Sequence, residues 1–333
     1  MKHTVLGNSG LQVSALGLGC MGMSHGYGTP ASRKEMEQLI AEAVEMGYTL
    51  FDTAETYGTI DDPHDNEHLV GDALRPYRNR VVIVTKCGVH HDMSVGKAPY
   101  PIVVDSSREA IRRSVEGSLR RLHTDHIDLY FQHRIDPHVA PEEVAYTMGC
   151  LKREGKILHW GISEANEDYL RRAHKVEPVA CIQNRFSMMA RWYEPLLPVC
   201  KELGIGFMAF SPLANGLLTD RYSAANQFDP VTDYRASMPQ FQAESFADNA
   251  ELLRLVRSLA EKHKATPAQI SLAWMMCKEP AIVPIPGTRK AERLRENAGA
   301  ADITLSPVEV HGIDRVLDRM KMSDVFGGTK IKQ

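Results

Sequence analysis

Short apolar runs alternate along this chain with longer segments in which apolar residues recur every three or four positions. The clearest run, Val81-Val82-Ile83-Val84, is β-branched throughout and apolar on both faces, as in a strand that is covered on both sides. The three- and four-residue spacing is that of an amphipathic helix. The pattern predicts strands at residues 16–19, 50–52, 81–86, 127–131, 158–162, 179–182, 205–210 and 282–285.

Helices are predicted in the intervals between these strands, and local end signals support several of them. A serine or threonine followed three residues later by Glu or Gln is the capping-box pattern that begins a helix. Gly47 can take the left-handed conformation that ends the first long helix. Capping pairs are predicted at Ser32 and Glu35, Ser106 and Glu109, Thr266 and Gln269, and Ser306 and Glu309. The helices are predicted at residues 32–46, 66–74, 106–122, 141–154, 166–174, 194–203, 247–263, 267–276, 291–300 and 306–320.

Eight strand–helix units in series indicate parallel strands with crossover helices, and eight is the number that closes a (β/α)8 TIM barrel. An open doubly wound sheet is the alternative, because Gly17, Gly19 and Gly22 fit a G-x-G-x-x-G dinucleotide pattern. That pattern requires a helix at its third glycine, whereas the next predicted helix begins at residue 32. No linker interrupts the chain, so residues 1–333 are predicted to form one barrel domain. A long loop without periodicity, 212–246, follows the seventh strand, and an additional C-terminal helix ends the domain.

Composition narrows the class of protein. Of the 333 residues, 39 are Lys or Arg and 42 are Asp or Glu, so the net charge of −3 argues against a nucleic-acid binder. The six cysteines are too scattered for a disulfide framework or zinc-ligand spacing, and no metal site is predicted. No apolar stretch approaches the roughly 20 residues of a membrane helix, and no secretory leader is recognisable. We therefore expect a cytoplasmic protein with no membrane partner.

Side chains suited to catalysis lie at or just after the ends of three successive predicted strands. Asp52 ends the second strand, with Tyr57 in the loop that follows, Lys86 ends the third, and His133 follows the fourth. An ammonium group lowers the pKa of a nearby phenol, a carboxylate holds the ammonium in place, and an imidazole can orient a carbonyl oxygen. Taken singly, Asp52 could be a turn residue, Lys86 a solvated loop residue, and His133 one of 14 histidines without a role.

The segments that carry these residues resemble the signatures of the aldo/keto reductase family. They read FDTAETYG at 51–58, TK at 85–86 and DLYFQH at 128–133, and the resemblance extends over nearly the whole chain. It implies a barrel closed at its base by an N-terminal hairpin at about residues 4–13, with NADPH bound in an extended form. It also implies that Tyr57 is the general acid, that Lys86 assists its ionisation, that Asp52 pairs with Lys86, and that His133 orients the carbonyl.

The same resemblance implies the nicotinamide contacts. Ser163 and Gln183 match residues that bind the carboxamide, whereas Glu164 stands where relatives have asparagine. Phe210 replaces a tyrosine that stacks on the nicotinamide ring, and the loop at 212–246 is expected to fold over the cofactor. The positions expected to contact the cofactor in the strand-end loops are Met21, Gly22, Ser163, Glu164, Gln183, Phe210, Ser211, Pro212, Leu213, Gly216 and Leu218.

The segment IPGTR at 285–289 resembles the family's adenosine-phosphate site. Thr288, Arg289 and Arg293 offer a hydroxyl and two guanidinium groups to a 2′-phosphate, which favours NADP over NAD. The alternative is that the arginines only form solvated helix pairs. Gly287 stands where many relatives have lysine. The remaining expected contacts at this end are Ile285, Glu296 and Asn297.

The sequence thus predicts NADPH-dependent reduction of an aldehyde or ketone of a small molecule to the alcohol. An NADPH-binding redox-sensing subunit with little turnover and a cofactor-free barrel hydrolase are the alternatives. Homo-oligomer formation stays open. Adjacent His90 and His91 lack a placed carboxylate and suggest no metal. The substrate-pocket candidates are Met23, Tyr27, Cys87, His90, Trp192 and Tyr193.

Overall fold

A computed structural model describes residues 1–59, 62–96, 100–278 and 281–326 of the chain, and in these residues eight parallel strands form one curled sheet. The strands pair in the order β3-β4-β5-β8-β9-β10-β11-β12, each parallel to its neighbour. Two further hairpins, β1-β2 and β6-β7, lie outside the sheet. The strands are β1 (His3–Val5), β2 (Gln12–Ser14), β3 (Leu18–Gly19), β4 (Leu50–Asp52), β5 (Val82–Cys87), β6 (Val89–His91), β7 (Ile102–Val104), β8 (Ile127–Gln132), β9 (Ile157–Ser163), β10 (Cys181–Arg185), β11 (Gly206–Phe210) and β12 (Ile282–Pro284).

The sheet closes into a barrel where β12 meets β3. The amide of Gly17 donates to the carbonyl of Pro284 at 2.9 Å, and the amide of Gly19 donates to the carbonyl of Pro286 at 3.3 Å. This seam requires glycine, because a Cβ on Gly19 would lie 2.8 Å from the carbonyl oxygen of Ile285. The predicted (β/α)8 barrel is confirmed, and the doubly wound alternative is wrong.

Helices surround the barrel and alternate with its strands. They cover the outer apolar faces of the strands, which form the larger hydrophobic cluster of the protein. The α-helices are α1 (Met21–Ser24), α2 (Arg33–Glu45), α3 (Asp65–Leu74), α4 (Arg108–Arg121), α5 (Pro141–Arg153), α6 (Glu167–Val176), α7 (Leu196–Leu203), α8 (Ser245–Asp248), α9 (Ala250–His263), α10 (Pro267–Met276), α11 (Ala291–Gly299) and α12 (Pro307–Leu317).

The N-terminal hairpin closes the bottom of the barrel, as expected. Leu6 and Val13 join the inner apolar cluster with Leu50, and the amide of Asn8 donates to the carbonyl of Gly204 at 2.7 Å. The inner cluster fills the lower barrel, and the buried polar side chains of Asp52 and Lys86 lie beyond it, near the C-terminal ends of their strands. We call this end the mouth.

Several local predictions need correction. Ser107, not Ser106, caps α4, because Ser106 is buried and its amide donates to Asp136 Oδ2 at 2.8 Å. Ser32 precedes α2 without a side-chain capping bond. The capping boxes at Thr266 and Ser306 and the left-handed Gly47 are confirmed.

Other corrections concern the elements themselves. A single helical turn, α1, does begin at Met21, although no helix was predicted there. The helix predicted at 247–263 is interrupted at Asn249, whose side chain bonds Ser323 through both its donor and its acceptor. The β6-β7 hairpin was not predicted. The described residues contain no helix that is long and apolar enough to span a membrane.

Candidate active site

A buried ion pair lies at the centre of the mouth. Lys86, on β5, has no exposed surface, and its Nζ lies 2.9 and 2.8 Å from Asp52 Oδ1 and Oδ2 and 2.8 Å from the carbonyl oxygen of Thr53. Burial by itself lowers the pKa of Lys86, but Asp52 and Tyr57 outweigh it and hold that pKa above its usual value. The lysine therefore stays an ammonium group at neutral pH.

Gln183 shares the same carboxylate. Its Nε2 donates to Asp52 Oδ1 at 2.7 Å, so this amide nitrogen is committed to the ion pair. The side-chain oxygen of Gln183 accepts no hydrogen bond from the described residues. Of the two polar groups on this side chain, the acceptor is the one available to another molecule.

Tyr57 and His133 stand beside the ion pair. Lys86 Nζ lies 4.9 Å from the centroid of the Tyr57 ring, and Tyr57 Oη lies 3.5 Å from His133 Nε2. Burial, Arg134 and Lys86 hold the pKa of His133 well below its usual value, so its imidazole is neutral. Within the described residues, His133 Nδ1 is buried without a hydrogen-bond partner. The structure thus brings together Asp52, Tyr57, Lys86 and His133 from three strand ends.

Three aromatic side chains that were not predicted as site residues form a row that begins at Tyr57. The His25 ring stacks on Tyr57 with 6.4 Å between centroids, and His25 Nε2 lies 2.6 Å from Tyr234 Oη. The Tyr234 ring stacks in turn on Phe326 at 6.2 Å. Tyr234 lies in the long loop at 212–246, whose length marked it as a candidate lid. No motif or spacing points to His25 or Phe326.

Residues 212–246, which we call the lid, fold over the loop that follows α1. The amide of Gly28 donates to the carbonyl of Thr232 at 2.9 Å, and Asn215 Nδ2 donates to Tyr27 Oη at 2.7 Å. Instead of a periodic helix, the lid contains short 3-10 turns at Ala214–Thr219, Tyr234–Ser237 and Pro239–Phe241. Tyr27 is held beneath the lid, so the structure encloses this pocket candidate.

Glu164 occupies a strained backbone position at the end of β9. Its φ of +52° lies in the left-handed region, where asparagine is tolerated far better than glutamate. Its amide donates to the carbonyl of Gln183 at 3.1 Å, while its carboxylate lies 3.3 Å from Arg134 Nε. The side chain expected to bind a carboxamide is therefore paired with an arginine. Neighbouring Ser163 is buried.

The loop after β11 contains further left-handed residues. Ser211, Ala214 and Asn215 have φ values of +51°, +48° and +59°, and such strain in non-glycine residues concentrates at functional sites. The amides of Gly216 and Leu218 both donate to the carbonyl of Leu213, at 2.9 and 3.2 Å. These two amides are thus occupied within the loop itself, and the Leu218 side chain lies in the core. Pro212 is also buried, whereas Phe210, Ser211 and Leu213 are partly exposed.

The arginines expected at a phosphate site differ in their surroundings. Arg289 donates to the carbonyls of Tyr27 and Thr29 at 2.6 and 2.7 Å, so it ties down that loop. Arg293 Nε is buried without a hydrogen-bond partner in the described residues. Arg221, a lid residue that was not predicted, bonds Glu296 at 3.0 Å. Partly exposed Thr288 bonds Lys290, and Asn297 and Ile285 are buried.

Gly287 has a packing reason to lack a side chain. It forms a parallel bridge with Gly19 at the barrel seam, and a Cβ on it would lie 3.0 Å from the carbonyl oxygen of Gly19. A lysine at this position would crowd the seam unless the backbone shifted.

Three of the predicted substrate-pocket residues are buried. Met23 and Cys87 are fully buried in the outer cluster, and Cys87 Sγ lies 3.5 Å from the carbonyl oxygen of Phe131. Tyr193 is also buried. Trp192 is partly exposed beside it, and His90 is partly exposed on β6. At the other end of the loop after β3, Met21 and Gly22 are partly exposed, with Gly22 facing the Tyr27 ring.

Comparisons with known proteins match nearly the whole chain to one family. The profile of the aldo/keto reductase family matches residues 15–318. The chain is 37% identical over 326 residues to "Probable aldo-keto reductase 1" of Glycine max, covering 97% of this chain and 90% of that protein. It resembles the holo form of aldo-keto reductase AKR11C1 from Bacillus halodurans at 25% identity, with a TM-score of 0.78 and 98% of each chain covered. It also resembles glycerol dehydrogenase AKR11B4 from Gluconobacter oxydans at 26% identity, with a TM-score of 0.84, covering 96% of this chain and 95% of the other.

Proposed function

This chain belongs to the aldo/keto reductase family, and from that membership we propose that it is an NADPH-dependent reductase of aldehydes or ketones on small molecules. Members of the family are oxidoreductases that act on carbonyl groups with a nicotinamide cofactor. The observation that carries the proposal is the buried Lys86–Asp52 pair beneath Tyr57, with neutral His133 3.5 Å from the phenol oxygen.

Tyr57 is the proposed proton donor. When bound, the cofactor supplies hydride to the carbonyl carbon. Tyr57 Oη then gives its proton to the carbonyl oxygen, which becomes the hydroxyl of the alcohol. The Lys86 ammonium group, 4.9 Å from the ring centroid, stabilises the phenolate that remains. Asp52 keeps the ammonium group in place and offsets the cost of its burial.

His133 is the proposed orienting residue. Because its imidazole is neutral, only one ring nitrogen carries a proton. With the proton on Nε2, the nitrogen beside Tyr57, the side chain donates to a carbonyl oxygen that also faces the phenol. A neutral imidazole adds no competing positive charge next to Lys86.

The donors and acceptors of the site fit a nicotinamide dinucleotide. The free acceptor of Gln183 and the hydroxyl of Ser163 suit a carboxamide, and the partly exposed Phe210 ring suits stacking. The Nε of Arg293 makes no hydrogen bond among the described residues, and the ion pairs of this arginine with Glu292 and Glu296 are long, at 3.9 and 3.5 Å. Its guanidinium group suits a phosphate oxygen and supports the preference for NADP. Arg289 contributes mainly by fixing the loop at Tyr27, and Thr288 is close in sequence to both arginines.

Measurements of carbonyl turnover and of NADPH binding distinguish an enzyme from a redox-sensing subunit. We expect Tyr57→Phe to lose about 100- to 10,000-fold in carbonyl turnover, the range of general-acid catalysis, while NADPH binding followed by fluorescence is retained. Tyr146→Phe, at an exposed tyrosine on α5, is the matched control and should match the wild type. Unchanged turnover in Tyr57→Phe would contradict the proposal, and a wild type that binds NADPH without turning over any carbonyl would favour the sensing subunit.

A further inference from the structure

Arg185 occupies an inward position on β10 that the proposed mechanism does not use. Successive inward residues of this strand are Cys181, in the inner apolar cluster, and Gln183, which bonds Asp52. Side chains of a strand alternate between its two faces, so Arg185 follows them on the same face, one layer nearer the mouth. It pairs in register with Phe210 of β11, and its guanidinium carbon lies 4.9 Å from the centroid of the Phe210 ring.

The guanidinium group of Arg185 lies between two aromatic rings. The residue is 8% exposed, with Phe210 on one side and the Phe326 ring 5.8 Å away. Aromatic faces attract the cation but offer no acceptor for its five N–H donors. Burial lowers the pKa of Arg185, which starts so high that the group stays cationic.

Two other buried cations of the described residues, Lys86 and Lys278, are paired, and Arg185 differs from them. Lys86 bonds Asp52, and Lys278 bonds Glu194 and Asp314. In the part of the chain that the structure describes, no carboxylate forms an ion pair or hydrogen bond with Arg185. The negative charge that most raises the pKa of Arg185 is that of Glu164, but the Glu164 carboxylate is paired with Arg134. A buried charge without a partner is costly, so such a group is expected to meet an anion in the working protein.

We propose that Arg185 binds an anionic group of the substrate, a carboxylate or phosphate, while the carbonyl of the same molecule faces Tyr57 and His133. The planar guanidinium fork suits bidentate contact with either anion. This inference rests on the proposed function and adds the substrate class: small acids that carry an aldehyde or ketone. Arg134 lies on the rim and is paired with Glu164, which leaves Arg185 as the residue that selects the anion.

Two substrates of the same shape and different charge test the proposal. 4-Carboxybenzaldehyde is an anion at pH 7, and 4-formylbenzamide is its neutral counterpart. We expect Arg185→Met to lower kcat/KM for the acid about 10- to 100-fold, the range of a charge-assisted hydrogen bond, with the loss in KM. The amide should change less than threefold. Arg185→Lys, which keeps the charge, should retain part of the preference, and Arg80→Met, at an exposed arginine outside the mouth, should retain all of it.

Equal losses with both substrates would overturn the proposal and leave Arg185 as a packing residue. A weakened NADPH affinity of Arg185→Met, measured by fluorescence, would also overturn it and assign the arginine to the cofactor. Calorimetric titration of the NADP⁺-loaded protein with benzoate and with benzamide gives a readout that needs no turnover. Benzoate binding that disappears in Arg185→Met supports the inference even if the proposed reductase activity fails. Equal binding of the two probes would contradict the inference even if the enzyme reduces neutral carbonyls.

Discussion

Gln183 and Asp52 are joined by a 2.7 Å hydrogen bond that links the sixth barrel strand to the buried ion pair of the second and third. The amide nitrogen of Gln183 is therefore a structural donor, and its oxygen accepts no hydrogen bond from the described residues. We expect Gln183→Met, which has nearly the same volume, to lower the free energy of unfolding by about 1–3 kcal/mol, because Asp52 loses a donor in a buried site. Urea denaturation measures this change. A variant as stable as the wild type would show that the bond contributes little.

The Asp52–Lys86 pair should show strong coupling. Removing one partner leaves an uncompensated buried charge, so Lys86→Met and Asp52→Leu should each lower the free energy of unfolding by about 3–5 kcal/mol. The double variant should lose clearly less than the sum of the two losses. A double-mutant cycle by urea denaturation measures the coupling. The exposed pair of Arg80 and Glu45 is the matched control and should show little coupling. Additive losses at Asp52 and Lys86 would contradict a buried, charged pair.

His133 should make the fold sensitive to acid. Its pKa in the folded protein lies well below its usual value because of burial, Arg134 and Lys86. As the pH falls below about 6.5, the unfolded chain gains a proton at this residue that the folded protein does not, so stability decreases. Above about pH 6.5, His133 does not contribute to the pH dependence of the free energy of unfolding. We expect the free energy of unfolding to depend less steeply on pH in His133→Gln than in the wild type between about pH 5 and 6.5. The difference in slope should correspond to at most about one bound proton.

A second measurement isolates the imidazole itself. The ring nitrogen resonances of His133 should remain those of a neutral imidazole in an NMR titration down to about pH 5.5. A titration midpoint near 6.5 would mean that the site is more hydrated than the structure indicates.

Replacing Glu164 with asparagine should stabilise the fold and tighten NADPH binding. Its φ of +52° is strained for glutamate, and Asn relieves part of a cost of about 1–2 kcal/mol. Lys264, which also has φ +52° but ends α9 away from the mouth, provides the control. Lys264→Asn should gain stability without changing NADPH affinity. Glu164→Asn should gain less, because it loses the partly exposed contact with Arg134, but should tighten NADPH binding. An unchanged or weaker affinity would argue against a carboxamide contact at this position.

The barrel was predictable because its signals are local and repeated. The run at Val81 to Val84 identifies β5 from side-chain type alone, and Thr266 and Gln269 form the capping box that the sequence pattern predicts. Ser106 shows the limit of such signals. Two adjacent serines precede α4, and the choice between them depends on the distant Asp136, which binds the amide of Ser106.

The proposed catalytic side chains were predictable as strand-end residues, whereas their surroundings were not. Tyr234 and Phe326 reach the mouth from opposite ends of the region that follows β11, and only the folded chain places their rings 6.2 Å apart. The isolation of Arg185 is likewise a tertiary property. Its sequence neighbours are ordinary strand residues, and nothing in them shows that Glu164 is engaged elsewhere.

The barrel seam between β3 and β12 has a consequence for folding during synthesis. Gly19 emerges early during synthesis and Gly287 late, so one edge of the first barrel strand has no partner until most of the polypeptide exists. Such long-range pairing slows folding, and an open strand edge invites pairing with other chains. Chains truncated before β12 should therefore aggregate, and chaperone demand during expression should fall only once the last strand has left the ribosome.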